Sequence, residues 1–245
     1  MTQIKHLLTE FERFAYGQSL PTVFTEMLNW TLLLFKKCNN ETEQQSVIEA
    51  YQTHPKVKQL TTLITMIGDL ADGFTDPLGE LYMHAISKGH MGQYFTPQHL
   101  CDMMAMMQIG TTSRVSQTVL DPACGSGRML LATAKIDRSL QLYGADLDLT
   151  CCKMALINML FNSLQGEIAH MNSLSNEFYT GYQICTTLVG THYIPYYIEF
   201  TEPEKSRIWL RPLRGNNDKS KFSTPFNPVS AAHPINGRQG LLFDW

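Results

Sequence analysis

The stretch from Leu120 to Asp148 leaves this chain the fewest choices. It reads Leu120-Asp121-Pro122-Ala123-Cys124-Gly125-Ser126-Gly127-Arg128-Met129-Leu130-Leu131, then a short helical segment, then Tyr143-Gly144-Ala145-Asp146-Leu147-Asp148. Val119 and Leu120 end an apolar run of β type. Pro122, Gly125 and Gly127 occupy the turn after it, and Arg128 to Ala134 has helical spacing, with Met129, Leu130 and Ala134 able to face a sheet. The order is strand, glycine turn, helix, strand. Glycines there let a ligand lie against the backbone and let the helix start close to the strand. Asp146 ends the second strand, where a carboxylate can accept from both hydroxyls of a ribose.

Three ligand types use such a turn. A phosphate-binding P-loop needs Gly-Lys-Ser/Thr, but Gly127 is followed by Arg128-Met129. A dinucleotide fold wants a third glycine where Leu130 stands. S-adenosylmethionine carries no phosphate; it needs close backbone approach, a ribose acceptor and an acceptor for its ammonium. Asp121, at the first strand end, stands where the last belongs. Spacing alone leaves two readings open: a methyl-donor site, or a generic α/β turn with solvated aspartates.

Asp121-Pro122-Ala123-Cys124-Gly125-Ser126-Gly127 resembles motif I of the N6-adenine DNA methyltransferases, in the form found in modification subunits of type I restriction systems. Gly92-Gln93-Tyr94-Phe95-Thr96-Pro97 resembles their motif X, and its place before motif I matches the gamma class. Gly144-x-Asp146 matches motif II, and Met154 to Leu160 resembles the helix after it. The likeness covers about residues 70 to 175. It implies an α/β, Rossmann-like, class I S-adenosylmethionine-dependent methyltransferase fold with an N-terminal helical region. It further implies S-adenosyl-L-methionine as cofactor, held by Tyr94, Phe95, Thr96, Asp121, Pro122, Ala123, Gly125, Gly127, Asp146, Leu147 and Asn172. Asn172 stands where the family has an acid that accepts from the adenine amino group; an amide oxygen can also accept that bond.

The family's acceptor motif, Asn/Asp-Pro-Pro-Tyr/Phe, holds a flipped adenine. No Pro-Pro pair occurs in this chain. Thr191 to Tyr197 and Thr224 to Pro228 offer aromatics and prolines without the pattern, so no catalytic residue is assigned. Two functions follow as expectations. The first is methyl transfer to adenine N6 of DNA, in a restriction-modification or mobile-element system, with a partner subunit supplying sequence specificity. The second is a catalytically degenerate module acting through DNA, a partner subunit or the sliding clamp. Methylation of RNA or protein is a weaker third.

The flanks are read from pattern. Residues 1–90 form an N-terminal helical region, 91–200 the methyltransferase-like domain, and 201–245 a basic tail rich in Pro, Ser and Asn. Helices are expected over Met1–Tyr16, Pro21–Lys37, Glu41–Gln52, Lys56–Leu70, Pro77–Lys88, Gln98–Gln108 and Leu149–Gln165. Leu100, Met103, Met104 and Met107 are expected as core filler on their helix. Glu167–Met171, Tyr182–Val189, Tyr193–Phe200 and Arg207–Leu210 read as strands. From Lys205 onward seven Lys/Arg face two Asp, a net +5 on a chain whose net charge is −3, which suits phosphate contact. Gln239-Gly240-Leu241-Leu242-Phe243 resembles the bacterial sliding-clamp peptide, with Gln239, Leu242 and Phe243 as its anchors.

No apolar run is long enough to span a bilayer, and no apolar signal core follows Lys5 and His6, so a cytoplasmic setting is expected. Six cysteines form no C-x-x-C pair and the eight histidines are scattered, so reduced thiols and no metal site are expected.

Overall fold

The computed structural model describes residues 2–87, 95–109 and 117–212. The chain divides into two units, Met1–Leu210 and Arg211–Trp245, of which the first is compact. The helices and strands of the described residues all lie in the first. Four helices open this unit: α1 (Thr2–Phe14), α2 (Leu20–Leu33), α3 (Glu41–Thr53) and α4 (Val57–Ala71). Then come α5 (Pro77–Tyr82), a π-helical turn (Met83–Ser87) and α6 (Gln98–Ile109). The α/β part consists of β1 (Thr118–Asp121), α7 (Arg128–Ile136), β2 (Gln141–Asp146), α8 (Leu149–Phe161), β3 (Gln165–Asn172), β4 (Glu177–Val189) and β5 (His192–Phe200).

The sheet runs in the order β1-β2-β3-β4-β5. The first three strands are parallel, with Asp121 opposite Gly144 and Asp146 opposite His170. This brings the carboxyl ends of β1, β2 and β3 to one rim. Beyond β3 the direction reverses, and β4 and β5 form an antiparallel hairpin whose turn puts Gly190 at φ 61°. The two strands expected there are present. Among the described residues β1 is an edge strand.

Start signals fix the helices that matter. The Asn40 side chain accepts from Glu43 N at 2.8 Å to cap α3, and Asp76 accepts from Gly79 N at 2.8 Å ahead of Pro77 to cap α5. Asp148 caps α8 through Thr150 N at 2.7 Å. One hydrophobic core joins the N-terminal helices to α7, α8 and the sheet; Phe11, Phe24, Leu28, Leu63 and Leu78 share it with Leu130, Leu142, Leu156 and Ile168. Each such fully buried side chain contributes about 1.5–3 kcal/mol.

Several expectations are corrected. α2 stops at Leu33, because Phe35 O and Lys37 N bond to Tyr197 N and O at 2.9 and 3.0 Å and cover the outer edge of β5. α8 stops at Phe161, where Leu164 N closes onto Met159 O and β3 begins at once. Arg207–Leu210 is no strand. Buried Glu167 of β3 accepts from Ser206 Oγ and from Arg207 N (3.0 Å), and Trp209 Nε1 donates to Asn176 O at 3.1 Å. These bonds lay the segment over Tyr143, Ala145, Ala169 and Met171, the sheet face away from α8.

The methionines of α6 are not core filler. Met103 is 52% and Met107 77% exposed, with Leu100 and Met104 exposed beside them. The helix instead buries Cys101 and Ala105 on Ala132 and Met129 of α7. Small residues let two helices approach closely, so they took the inner face. All six cysteines are free thiols.

Candidate functional site

The glycine turn between β1 and α7 is built by one backbone bond that crosses to β2 and one within the turn. Cys124 N donates to Ala145 O at 2.9 Å and Gly127 N to Cys124 O at 2.8 Å. Gly125 and Gly127 take φ 54° and 83°, where a side chain is strained. Both are also packed. A Cβ on Gly125 would stand 3.0 Å from the Phe95 ring, and one on Gly127 would stand 3.1 Å from Ala155 of α8. Glycine is required at both positions by close approach as well as by backbone conformation.

Asp146 sits at the end of β2 and faces this turn. Its Oδ2 accepts from Gly125 N at 2.8 Å and its Oδ1 from Asp148 N at 2.9 Å. A carboxylate offers about four lone-pair sites, so one on each oxygen remains for a ligand hydroxyl. Asp121, at the end of β1, accepts from Ala123 N at 3.1 Å. Burial pushes its carboxyl above the usual range, the Ala123 bond pulls it down, and the charge of Asp146 raises it again. Two carboxylates close enough for the charge of one to act on the other favour a cationic ligand.

The rim continues over β3. His170 Nε2 bonds Leu147 O at 3.1 Å, and the Leu147 side chain is exposed. Ser173 Oγ donates to Pro122 O at 2.7 Å and ties the β3 end to the glycine turn. Asn172 Oδ1 accepts from Leu174 N (3.0 Å) and Ser175 N (3.2 Å), which takes both its lone pairs. What Asn172 has left to offer is its Nδ2, a donor and not an acceptor. Phe95 and Thr96 lie beside the turn. Tyr94 falls outside the described residues, as do Gln239, Leu242 and Phe243.

Sequence reasoning missed the cluster beneath the turn. Buried Asp76 takes four donors: Gly79 N and Asn158 Nδ2 (2.7 Å) on Oδ1, Ser126 Oγ and Arg128 Nε (2.9 Å) on Oδ2. Arg128 also donates from Nη1 to Thr96 O at 3.1 Å and from Nη2 to Glu80 Oε1 at 2.9 Å. Asn158 Nδ2 reaches Ser126 O at 2.9 Å as well. Asp76-Pro77-Leu78-Gly79 carries only the local signal of a helix cap. Gly79 in fact lies so close that a Cβ would stand 2.0 Å from Asp76 Oδ2.

Residues 75–206, more than half of the chain, match the family model described as N-6 DNA Methylase. The chain belongs to that family. The fold of this N-6 DNA Methylase family member is α/β and Rossmann-like, of the class I methyltransferase type. A curated relative, the type I restriction enzyme MpnII methylase subunit of Mycoplasma pneumoniae, is 25% identical over 197 residues. That match takes in 71% of this chain and 36% of the relative, so the chain spans about a third of that protein's length. A crystal structure of the type I restriction-modification methyltransferase subunit from Streptococcus thermophilus aligns with 62% of this chain and 39% of its own, at 17% identity. Its TM-score of 0.32 is too low to carry an argument. Among the described residues no helix is long and apolar enough to cross a membrane.

Proposed function

We propose that the protein binds S-adenosylmethionine at the carboxyl ends of β1 and β2 and acts on adenine N6 in DNA. Its setting would be a cytoplasmic restriction-modification or mobile-element system. The observation that carries the donor reading is Asp146, fixed by one backbone bond from the glycine turn and one from Asp148, with a lone pair to spare on each oxygen. That is a mount for a vicinal diol. Gly125 and Gly127 give the backbone room, Asp121 supplies an anion for the ammonium, and the exposed Leu147 side chain offers an apolar surface to the adenine. Asn172 Nδ2 is a donor for a ring nitrogen. Phe95 lies on Gly125 and offers a sulfonium an aromatic neighbour.

The donor, when bound, supplies an electrophilic methyl on sulfur. The residues here contribute orientation, which is the larger part of what such a direct transfer requires. The acceptor side is different. With no Asn/Asp-Pro-Pro pattern in the chain, no adenine-holding residue is assigned, and sequence specificity is assigned to a partner subunit. The divisions at residues 90 and 200 belong to the same reading: helical region, donor domain, and a basic tail suited to phosphate.

Calorimetry with S-adenosylhomocysteine tests the donor site. Binding by the wild type, and its loss in Asp146→Ala, is the expected result; no heat with the wild type sinks the reading. Tritium transfer from labelled donor to adenine-rich DNA, with and without co-expressed neighbouring subunits, tests the acceptor side. Transfer only with a partner is expected. No transfer under either condition, with donor binding intact, leaves the degenerate binding module as the function.

A further inference from the structure

The geometry points to a second ligand site, in a hollow between α2, α8 and the β4–β5 hairpin, for a small organic molecule with an apolar body and one negatively charged oxygen head. It shares no residue with the donor site and does not depend on that reading. The hollow measures about 350 Å³, toward the lower end of the range for small-molecule sites. Simple periods place its walls. Asn29, Leu32 and Leu33 share one face of α2, and Leu149 and Lys153 stand one turn apart on α8. Thr180 and Tyr182 alternate onto one face of β4, Tyr182 lies opposite Glu199 of β5, and Tyr197 precedes Glu199 by two residues.

Two observations call for a ligand. Tyr182 and Tyr197 are only 6% and 5% exposed, and both line the hollow. Neither phenol hydroxyl has a hydrogen-bond partner among the described residues, although buried hydroxyls are ordinarily paired. The second observation is the charge balance. Lys36 Nζ pairs with Glu199 Oε2 at 3.3 Å. Lys153 Nζ bonds a neutral acceptor, Asn29 Oδ1, at 2.7 Å, and an ammonium has two further protons to give. Two ammoniums and one carboxylate leave a single positive charge. The charge of Glu199 is felt by Lys153 and by both phenols, so these groups converge on one space. Burial outweighs it at Lys153 and holds that ammonium below its usual range; at the phenols burial comes first, Glu199 adds to it, and both are raised. The phenols therefore meet a ligand as O–H donors. Two hydroxyls and a desolvated ammonium suit a carboxylate or a phosphate ester, and Leu32, Leu33 and Leu149 suit its apolar body.

The test uses the full-length chain with carbon-13-labelled tyrosine, and follows the ring resonances of Tyr182 and Tyr197 by NMR. The probes are benzoate, phenyl phosphate, benzylamine and a short DNA duplex. Saturable shifts with benzoate, phenyl phosphate or both are expected, and the tighter of the two identifies the head as carboxylate or phosphate. Lys153→Met is expected to weaken that binding by about tenfold, the value of a hydrogen bond from a charged donor, and Tyr182→Phe by about fivefold. Should Lys153→Met fail to fold, Tyr182→Phe decides alone; its lost hydroxyl has no protein partner, so its urea midpoint should not fall. No shift with either anion overturns the assignment. So does an equal shift with benzylamine, which marks apolar contact without charge selection, or a shift that both variants leave unchanged. Shifts with the duplex but with neither small anion make the hollow part of a DNA surface and overturn it as well.

Discussion

The carboxylate of Asp146 holds the turn it faces: Oδ2 accepts from Gly125 N at 2.8 Å and Oδ1 from Asp148 N at 2.9 Å. Asp146→Asn keeps the shape but turns one acceptor into a donor, so one N–H loses its partner. Such a loss costs about 1–3 kcal/mol. Thermal unfolding should drop by a few degrees, and affinity for S-adenosylhomocysteine should fall by about tenfold or more, as read by scanning fluorimetry and calorimetry.

The two turn glycines should fail differently. A Cβ on Gly127 meets the Cα and Cβ of Ala155 on α8 at 3.1 Å, and helix backbone does not yield. A Cβ on Gly125 meets only the Phe95 ring, which can rotate away. Both also carry the left-handed strain of about 1–2 kcal/mol. Gly127→Ala should therefore lower the urea midpoint more than Gly125→Ala, while Gly125→Ala should affect ligand binding out of proportion to its stability. Equal midpoints would contradict the packing difference.

Removing one side of the Arg128–Asp76 pair strands a buried charge. Their side chains are 8% and 1% exposed. Arg128→Met should cost about 3–5 kcal/mol in urea unfolding. The double variant Asp76→Asn with Arg128→Met should cost clearly less than the sum of the singles, because the uncompensated charge is gone. Additive losses would mean that the two groups do not act as a pair.

Asp121 gives a pH dependence with a definite sign. Burial, and next to it the charge of Asp146, raises its carboxyl above the unfolded value despite the Ala123 bond. Between the unfolded and folded values the native state holds more protons, so ligand-free stability falls as pH rises through that window. Asp121→Asn should remove this slope and leave the ligand-free protein more stable at neutral pH. Binding of a cationic donor needs the ionised form, so its affinity should weaken as pH drops through the raised value, while adenosine should stay level. Calorimetry across about pH 4 to 8, a range set about the carboxylate values, measures both arms.

The methionine face of α6 should tolerate polar change. Met103→Gln with Met107→Gln touches side chains that are 52% and 77% exposed. The combined effect on the urea midpoint should stay within about 0.5 kcal/mol. A loss of several kcal/mol would place these side chains in a core after all.

The glycine turn, the two strand-end aspartates and most helices were written locally. Cap residues such as Asp148, the Pro77 start and the apolar spacing of α1 and α4 depend on neighbours a few residues away, so the sequence determined them. It also determined the family, because Asp121 to Gly127 and Gly92 to Pro97 each carry their pattern in one short run. The tertiary structure decided what depends on contacts between distant segments. Hydropathy marked Leu100, Met103, Met104 and Met107 as the inner stripe of α6, and only packing on Ala132 and Met129 chose Cys101 and Ala105 instead. The end of α2 waited on Tyr197, a residue of β5 far along the chain. Asp76 caps α5 through nearby Gly79, but its other three donors come from distant Ser126, Arg128 and Asn158. Asn172 read as a free acceptor until its own following residues took the oxygen. A side chain's chemistry is fixed by its type, but which of its lone pairs and faces stay free is fixed only once the chain has closed around it.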